Sequence, residues 1–347
     1  MKHKLLLFLF AFIATVPTVD ANVITLTTQK DIGETIALQI IANGNVNISG
    51  VSSGTYASNV NVYYTLASQT VTITGDVAVL SCPHNYITSL DVTGDTALVS
   101  LQCADNGLTS LDVSHNAALY FLQCSKNALK DIDLSHNTAL NYLFGDENHF
   151  TALDLTNNAA LISLTCRTNR LKTLDLSGNI ALLNASCSDN EITELNVRND
   201  TALTNLDCSY NQLHELILPD NIKLQTLYCQ CNAIVNDRMD VLIGTIVDRS
   251  GLDAGKLVVF NPDGDNNVCT TDQVAAAAAK NWKVYYRNNS SSEDLYAGSP
   301  AGVTTVNSDN DAYITGIYDT SGRSLSTLQR GVNIVVMSNG KVLKKIY

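Results

Sequence analysis

Seven cysteines fall on one 21-residue grid: Cys82, Cys103, Cys124, Cys166, Cys187, Cys208 and Cys229, with Gly145 on the one rung that lacks a cysteine. Asparagines keep the same interval three residues later: Asn85, Asn106, Asn127, Asn148, Asn169, Asn190, Asn211 and Asn232. A unit of that length is too short to enclose a core. It buries its apolar edge only by stacking on its neighbours, so the period predicts a solenoid. The stretch "ALYFLQCSKNALKDIDLSHN" (Ala118 to Asn137) shows one coil. Leu122 and Cys124 alternate with Phe121, Gln123 and Ser125, which predicts a short strand with Leu and Cys inward and the others outward. Asn127 turns the chain, and its amide is placed to bond backbone groups within a coil or between coils. Leu129, Ile132 and Leu134 carry the second half inward, and Ser135 to Asn137 turn the chain again.

Two L-x-L-x-x-N-like boxes nested in one 21-residue unit resemble a short bacterial leucine-rich repeat. The match covers about Leu80 to Asn232, and "TVTITGD" (Thr70 to Asp76) reads as a shortened copy of "SLDVTGD" (Ser89 to Asp95). The solenoid is therefore expected over 70–232, in about eight coils. The resemblance implies that its sheet forms the concave, partner-facing side. Residues 22–69 read as a β-rich N-terminal cap, from alternating runs such as "VITLTT" and "VNVYYTL" joined by Gly and Asn turns. Residues 233–287 read as an α/β C-terminal cap. Asn236 is the expected N-cap of a helix carrying Met239, Leu242, Ile243 and Ile246. The strand "KLVVF" follows, then a Thr270–Gln273 capping box opening "DQVAAAAAK", then the strand "WKVYY". Residues 288–300 are a polar linker, and 301–347 form a small all-β, sandwich-like module with an Asn339-Gly340 hairpin turn. The expected fold class is thus a β-rich solenoid of leucine-rich repeats with a β cap, an α/β cap and an all-β tail. The tail carries "IYDTSGR", then L-x-x-G-x-N-I-V, then "KVLKKIY". It resembles a C-terminal sorting domain of the type IX secretion system, although it lacks a proline before Gly331 and an aromatic at Asn333. That resemblance implies export across the outer membrane of a Bacteroidetes-type bacterium, with the tail as an address.

The opening "MKHKLLLFLFAFIATVPTVDAN" has the lysines, apolar run and small residue of a secretory signal peptide over 1–21, with cleavage after Ala21. Removing Lys2, Lys4 and Asp20 leaves 19 positive and 32 negative residues, so the net charge moves from −12 to −13. With no basic stripe, that balance argues against nucleic acid as a partner. No later stretch is long enough for a transmembrane span. Nine cysteines in an exported chain invite a disulfide framework. The grid argues otherwise, because parallel, in-register side chains suit disulfide torsions poorly, and inward cysteines serve as small apolar residues. Cys231 and Cys269 lie off the grid and are either one bridge or a free pair.

Catalytic and metal-binding signals are weak. His115 and His136 sit one period apart in "SHN" turns, but Gly94 and Asn157 on the flanking rungs supply no third imidazole. The Ser, His and Asp residues recur as turn residues and single out no nucleophile, so no enzyme activity, cofactor or metal is expected. Asp91, Asp112, Asp133, Asp154 and Asp175 form an outward column that is expected to repel, share protons and attract cations. "NPDGDNN" (Asn261 to Asn267) alternates oxygen donors, but its glycine is misplaced for a calcium loop and it reads as a turn. Strand parity places Phe121, Tyr142 and Phe144 together on the outward face beside Ser163, Thr165 and Arg167, with Asp207 and Tyr228 further along. Aromatics with an arginine are the composition of binding hot spots. The candidate ligand-binding residues are therefore Phe121, Tyr142, Phe144, Arg167, Asp207 and Tyr228. The irregular coil "NYLFGDENHF" leaves a structural alternative open, in which Phe144 turns inward to fill the space of the missing cysteine. The expectation is a secreted or surface-anchored monomer, without catalysis, that binds a host or bacterial protein through its sheet face. The alternative is a glycan-binding protein for nutrient capture, and a hydrolase at the His115/His136 column has less support.

Overall fold

The computed structural model describes residues 22–53 and 56–299, and beyond them the strands Ile314–Tyr318, Ser324–Leu325, Val332–Met337 and Val342–Ile346. The stretch 1–21 expected to be a signal peptide and the turn expected at Asn339-Gly340 lie outside the described residues. Leucine spacing sets the strands. Seven three-residue strands, Ser100–Gln102, Phe121–Gln123, Tyr142–Phe144, Ser163–Thr165, Asn184–Ser186, Asn205–Asp207 and Thr226–Tyr228, pair parallel and in register. Phe121 lies opposite both Ser100 and Tyr142, so residues 21 apart in sequence are lateral neighbours. The strand Val77–Ser81 precedes this run, and Gly255–Phe260 and Trp282–Arg287 extend it in parallel. In each coil strand the central residue is the most buried, as Leu122 is between half-buried Phe121 and Gln123. Each buried leucine contributes roughly 2 kcal/mol of hydrophobic stabilisation, which no coil could obtain alone.

The strands are short because the residue two after each grid position is left-handed. Asp105, Lys126, Glu147, Thr168, Asp189, Tyr210 and Cys231 all have φ between 52° and 58°, a conformation costing about 1 kcal/mol for a side-chain-bearing residue. The next residue, the grid asparagine, holds that turn. Asn127 donates Nδ2 to the carbonyls of Cys103 (3.1 Å) and Cys124 (3.0 Å), and its Oδ1 accepts the N–H of Leu108 (3.0 Å). Strand exit and coil stacking are thus secured by one side chain. A second ladder runs on the opposite side, where the sequence indicated only a turn. Asn116, Asn137, Asn158, Asn179 and Asn221 are buried there. Asn137 donates to the carbonyls of Val113 and Asn116, both at 2.9 Å.

The ends are closed differently. At the N-terminal end, Thr35–Ala42 pairs antiparallel with Val77–Ser81 and continues the main sheet. The strand Val23–Thr28 pairs antiparallel with both Thr70–Thr74 and Ile87–Asp91. The shortened repeat and its template therefore do not stack directly; the N-terminal strand is inserted between them. At the other end lie helices α1 (Asp237–Thr245) and α2 (Thr271–Ala279). Thr270 and Gln273 form the expected box: Gln273 N–H donates to Thr270 Oγ1 (3.3 Å), and Thr270 N–H to Gln273 Oε1 (2.8 Å). Asn236 differs from expectation. It stands at the N-cap of α1 with φ 50° and its side chain makes no capping bond; its carbonyl instead accepts from Gln273 Nε2 at 3.0 Å.

All nine cysteines are free thiols, including Cys231 and Cys269, so no bridge joins that pair. The seven grid cysteines are fully buried. Burial pushes the Cys82 and Cys124 thiols up to about 12, so they are neutral apolar fillers rather than reactive groups. The tail strands form a separate four-stranded antiparallel sheet. The repeating parallel strand, leucine spine and asparagine ladder make the fold a leucine-rich-repeat solenoid of about seven 21-residue turns.

Candidate interaction face

The register that stacks the leucines also stacks the residues flanking them. Phe121 and Tyr142 form one outward column, and Gln123 and Phe144 the other. The Phe121 and Phe144 rings lie 5.4 Å apart, and Phe121 and Tyr142 6.1 Å apart. The structure adds Tyr120, 5.5 Å from Tyr142 and tilted by 60°. Tyr120 was missed because it precedes the strand, where alternation no longer says which way a side chain points. Its column continues through Asn141, half-buried Ile162 and exposed Leu183, which extends the apolar surface along the rim.

Gly145 stands beside this patch, and the repair of its coil comes from a different residue than expected. Phe144 stays on the outward face. Phe150, 1% exposed, fills the interior instead: a Cβ on Gly145 would meet its Cε2 at 3.0 Å. In the other rungs the pair is a cysteine with a leucine or isoleucine five residues on, as in Cys124 and Leu129 or Cys187 and Ile192. Glycine with phenylalanine keeps that volume in another partition.

The remaining candidate residues are less available. Arg167 is exposed but pinned to Asp146, whose Oδ1 accepts its backbone N–H (2.8 Å) and whose Oδ2 accepts Nη2 (3.1 Å). Asp207 is three rungs from Phe144 in the same column, about 14 Å away at the usual strand spacing. Its Oδ1 accepts the N–H and hydroxyl of Ser209 at 3.1 and 2.6 Å. Tyr228 is half-buried like the other rings but is engaged by the C-terminal cap. Lys256 Nζ donates to its hydroxyl (2.8 Å) and lies 4.9 Å from its ring centre, with the Arg287 guanidinium at 5.7 Å. Lys256 also pairs with Glu293. The structure therefore brings together Phe121, Tyr142 and Phe144, sets Arg167 at their edge, and leaves Asp207 and Tyr228 apart.

The acidic column behaves opposite to expectation. Asp112, Asp133 and Asp175 are held below the usual carboxylate range chiefly by the hydroxyl of the serine two residues on, and Asp154 chiefly by the Thr156 backbone N–H. Repulsion between neighbouring rungs acts on Asp112 and Asp154 but is the smaller effect. At these four rungs local D-x-S/T hydrogen bonding outweighs like-charge repulsion and favours the ionised carboxylates. The carboxylates of "NPDGDNN" are likewise engaged: Asp265 accepts from the backbone of Cys231, Asn261 and Asn267, and Asp263 from that of Asn289. His115 Nδ1 lies 3.2 Å from its neighbour Ser114 Oγ. Among the described residues no three His, Cys, Asp or Glu side chains converge as a metal site, and no helix is long and apolar enough to cross a membrane.

No protein-family model matches the sequence, and no curated protein matches it. Solved structures do align. The functional domain of InlJ from Listeria monocytogenes, described as including a cysteine ladder, is 19% identical, with 81% of this chain and 92% of that one covered and a TM-score of 0.40. The leucine-rich repeat domain of APL1B is 20% identical over 63% of each chain, with a TM-score of 0.48. A leucine-rich repeat protein of Leptospira interrogans is 17% identical, covering 57% of this chain and 63% of its own, with a TM-score of 0.33.

Proposed function

We propose that this chain is an exported, non-catalytic scaffold that holds a segment of another protein against the outward face of its sheet, at the coils carrying Tyr120, Phe121, Tyr142 and Phe144. The observation that carries the reading is the aromatic quartet. Four large rings share one outward patch, on strands that pack laterally against their sheet neighbours. Rings of this kind supply much contact area at low conformational cost. The geometry favours a protein segment over a sugar. The rings are mutually tilted by 36° to 60°, a faceted surface suited to side chains, whereas pyranose stacking calls for a flat platform. Export, surface display through the tail, and a monomeric state belong to the same proposal, supported by the apolar start with its lysines and by the tail motifs.

The test is to probe the purified chain against a displayed random-peptide library and, in parallel, a glycan array. Saturable peptide binding that is lost in Phe121→Ala/Tyr142→Ala and kept in Tyr228→Ala supports the reading. Peptides that bind the double variant equally well, or array glycans that bind at the quartet while no peptide does, refute it. Fractionation of the native cells with intact-mass measurement tests both end signals.

A further inference from the structure

Two rungs of the buried asparagine ladder carry an acid, Asp95 at its start and Asp200 within it. Asn116, Asn137, Asn158, Asn179 and Asn221 each donate Nδ2 to two carbonyls of the preceding coil, 24 and 21 residues earlier, at 2.6–3.2 Å. Residue 200, on the same grid, is an aspartate. It is 0% exposed, and neither of its carboxyl oxygens has a hydrogen-bond partner. By the repeat, the groups it faces are the carbonyls of Leu176 and Asn179. Carbonyls only accept, as does an ionised carboxylate. A buried anion with neither donor nor counter-ion is strongly disfavoured. A neutral carboxylic acid has one O–H and can donate to such a carbonyl as the amide does on the other rungs.

We propose that Asp200 is carried in the folded protein as the un-ionised acid, a stand-in for asparagine, and that its ionisation loosens the turn at residues 197–203 and makes this rung a pH-sensitive joint in the solenoid. The backbone here is already slack. The Asp200 N–H reaches the Val197 carbonyl at 3.4 Å, whereas the five preceding rungs close the same bond at 2.8–3.1 Å; the loosening continues into the next rung, where the Ile222 N–H bonds the Asp220 carbonyl as the Thr201 N–H bonds that of Asn199. Asn199 adopts φ 70°, and none of Gly94, His115, His136, Asn157, Gly178 and Asp220, at the same place in the repeat, is left-handed. The first rung supplies a contrast. Asp95 is equally buried, but its Oδ2 accepts the Val77 N–H (2.9 Å) and its Oδ1 the Ala97 N–H (3.0 Å). Burial, and after it the charge of Asp175, push the Asp200 carboxyl up to about 7.

The sign follows from linkage. The folded state keeps this proton to higher pH than the unfolded chain, whose carboxyl titrates near 3.9. Stability therefore falls as pH rises between that value and about 7, with the unfolding constant rising up to about tenfold per pH unit, and levels off above. The test compares the full chain with Asp200→Asn, which restores the residue of the neighbouring rungs. Thermal midpoints are followed from about pH 5 to about pH 8.5, together with hydrogen exchange over 197–203. The wild type is expected to lose midpoint relative to Asp200→Asn as pH rises, and to lose protection in that turn alone. Asp95 and Asp265, both raised to about 6 by burial, titrate in both proteins and cancel in the comparison. Parallel midpoint curves overturn the proposal. So does a wild-type-minus-variant infrared spectrum at low pH without the absorption of a protonated carboxyl group, a readout that does not depend on how far the turn opens.

Discussion

Replacing Gly145 by cysteine restores the residue found on the other rungs, and the structure predicts that it destabilises the protein. A Cβ at Gly145 lies 3.0 Å from Phe150 Cε2, while its next neighbours, the Thr165 carbonyl oxygen and Cys124 Sγ, are at 3.8 and 3.9 Å. The close approach is thus to the ring, and the cysteine sulfur extends further into space already filled. Phe150 is 1% exposed and has little room to withdraw. Overpacking of this kind costs about 2 kcal/mol. Phe150→Leu alone leaves a void beside glycine and costs about 1–2 kcal/mol. The double variant rebuilds the pair found at Cys124 and Leu129, so it should return to within about 0.5 kcal/mol of the parent, a favourable coupling of roughly 3–4 kcal/mol. Equilibrium urea unfolding of the four proteins measures this, with the m-value of each checked because a repeat array can lose two-state behaviour. If the two substitutions add, and the double variant is the least stable of the four, the reasoning that Phe150 replaces the missing thiol is wrong.

Further expectations follow from the same contacts. Asn169→Ala strips the carbonyls of Gly145, Cys166 and Arg167 and the N–H of Phe150 of their shared partner and should cost about 3 kcal/mol or more by denaturant unfolding. Asn169→Asp should be worse at neutral pH and partly recover in mild acid, where the carboxyl can carry a proton. Ser177→Ala should raise the Asp175 carboxyl, now held down mainly by that hydroxyl, as read by carboxyl-carbon NMR titration. Because a depressed carboxylate stabilises above its unfolded pKa and loses that contribution as pH falls through its folded one, the parent's small advantage over Ser177→Ala should vanish in acid. For any peptide that binds the quartet, Phe121→Ala should weaken the dissociation constant at least tenfold, while Tyr228→Ala should leave it within about twofold, since Tyr228 lies four rungs from Phe144 and its ring is engaged by Lys256 and Arg287.

The solenoid was legible because its rule is translational. Once Leu122, Cys124 and Asn127 are assigned inward, every residue 21 away inherits the assignment, and the register bears this out from Ser100 to Tyr228. What breaks translation was not legible. Val23–Thr28 enters between Thr70–Thr74 and Ile87–Asp91 by antiparallel pairing across 43 to 66 residues, and such a contact leaves no periodic trace. The sequence points to Phe144, the chain neighbour of Gly145, as the residue that could fill the gap, but the coil curls back, and the contact is made five residues later at a position that elsewhere holds leucine or isoleucine. The acidic column reads from the sequence as charge against charge, whereas the hydroxyl two residues along from Asp112 and Asp133 is the larger influence.

That last point bears on which part of the surface remains free to bind. On a stacked array every polar side chain has a potential partner one rung away, and many use it: His84 with Asp105, Lys126 with Glu147, Arg167 with Asp146 and Thr168 with Asp189. Each of these groups therefore already has a partner of opposite charge or matching polarity within the protein. Aromatic rings cannot be satisfied in the same way. Tilted neighbours 5.4–6.1 Å apart touch over part of each ring and leave the rest facing outward from the sheet, where burying apolar area yields roughly 25 cal/mol per Å². The sequence could locate Phe121, Tyr142 and Phe144 by parity. It could not separate them from Arg167, Asp207 and Tyr228, because which side chains are already engaged depends on the rung beyond and on the cap that closes the stack.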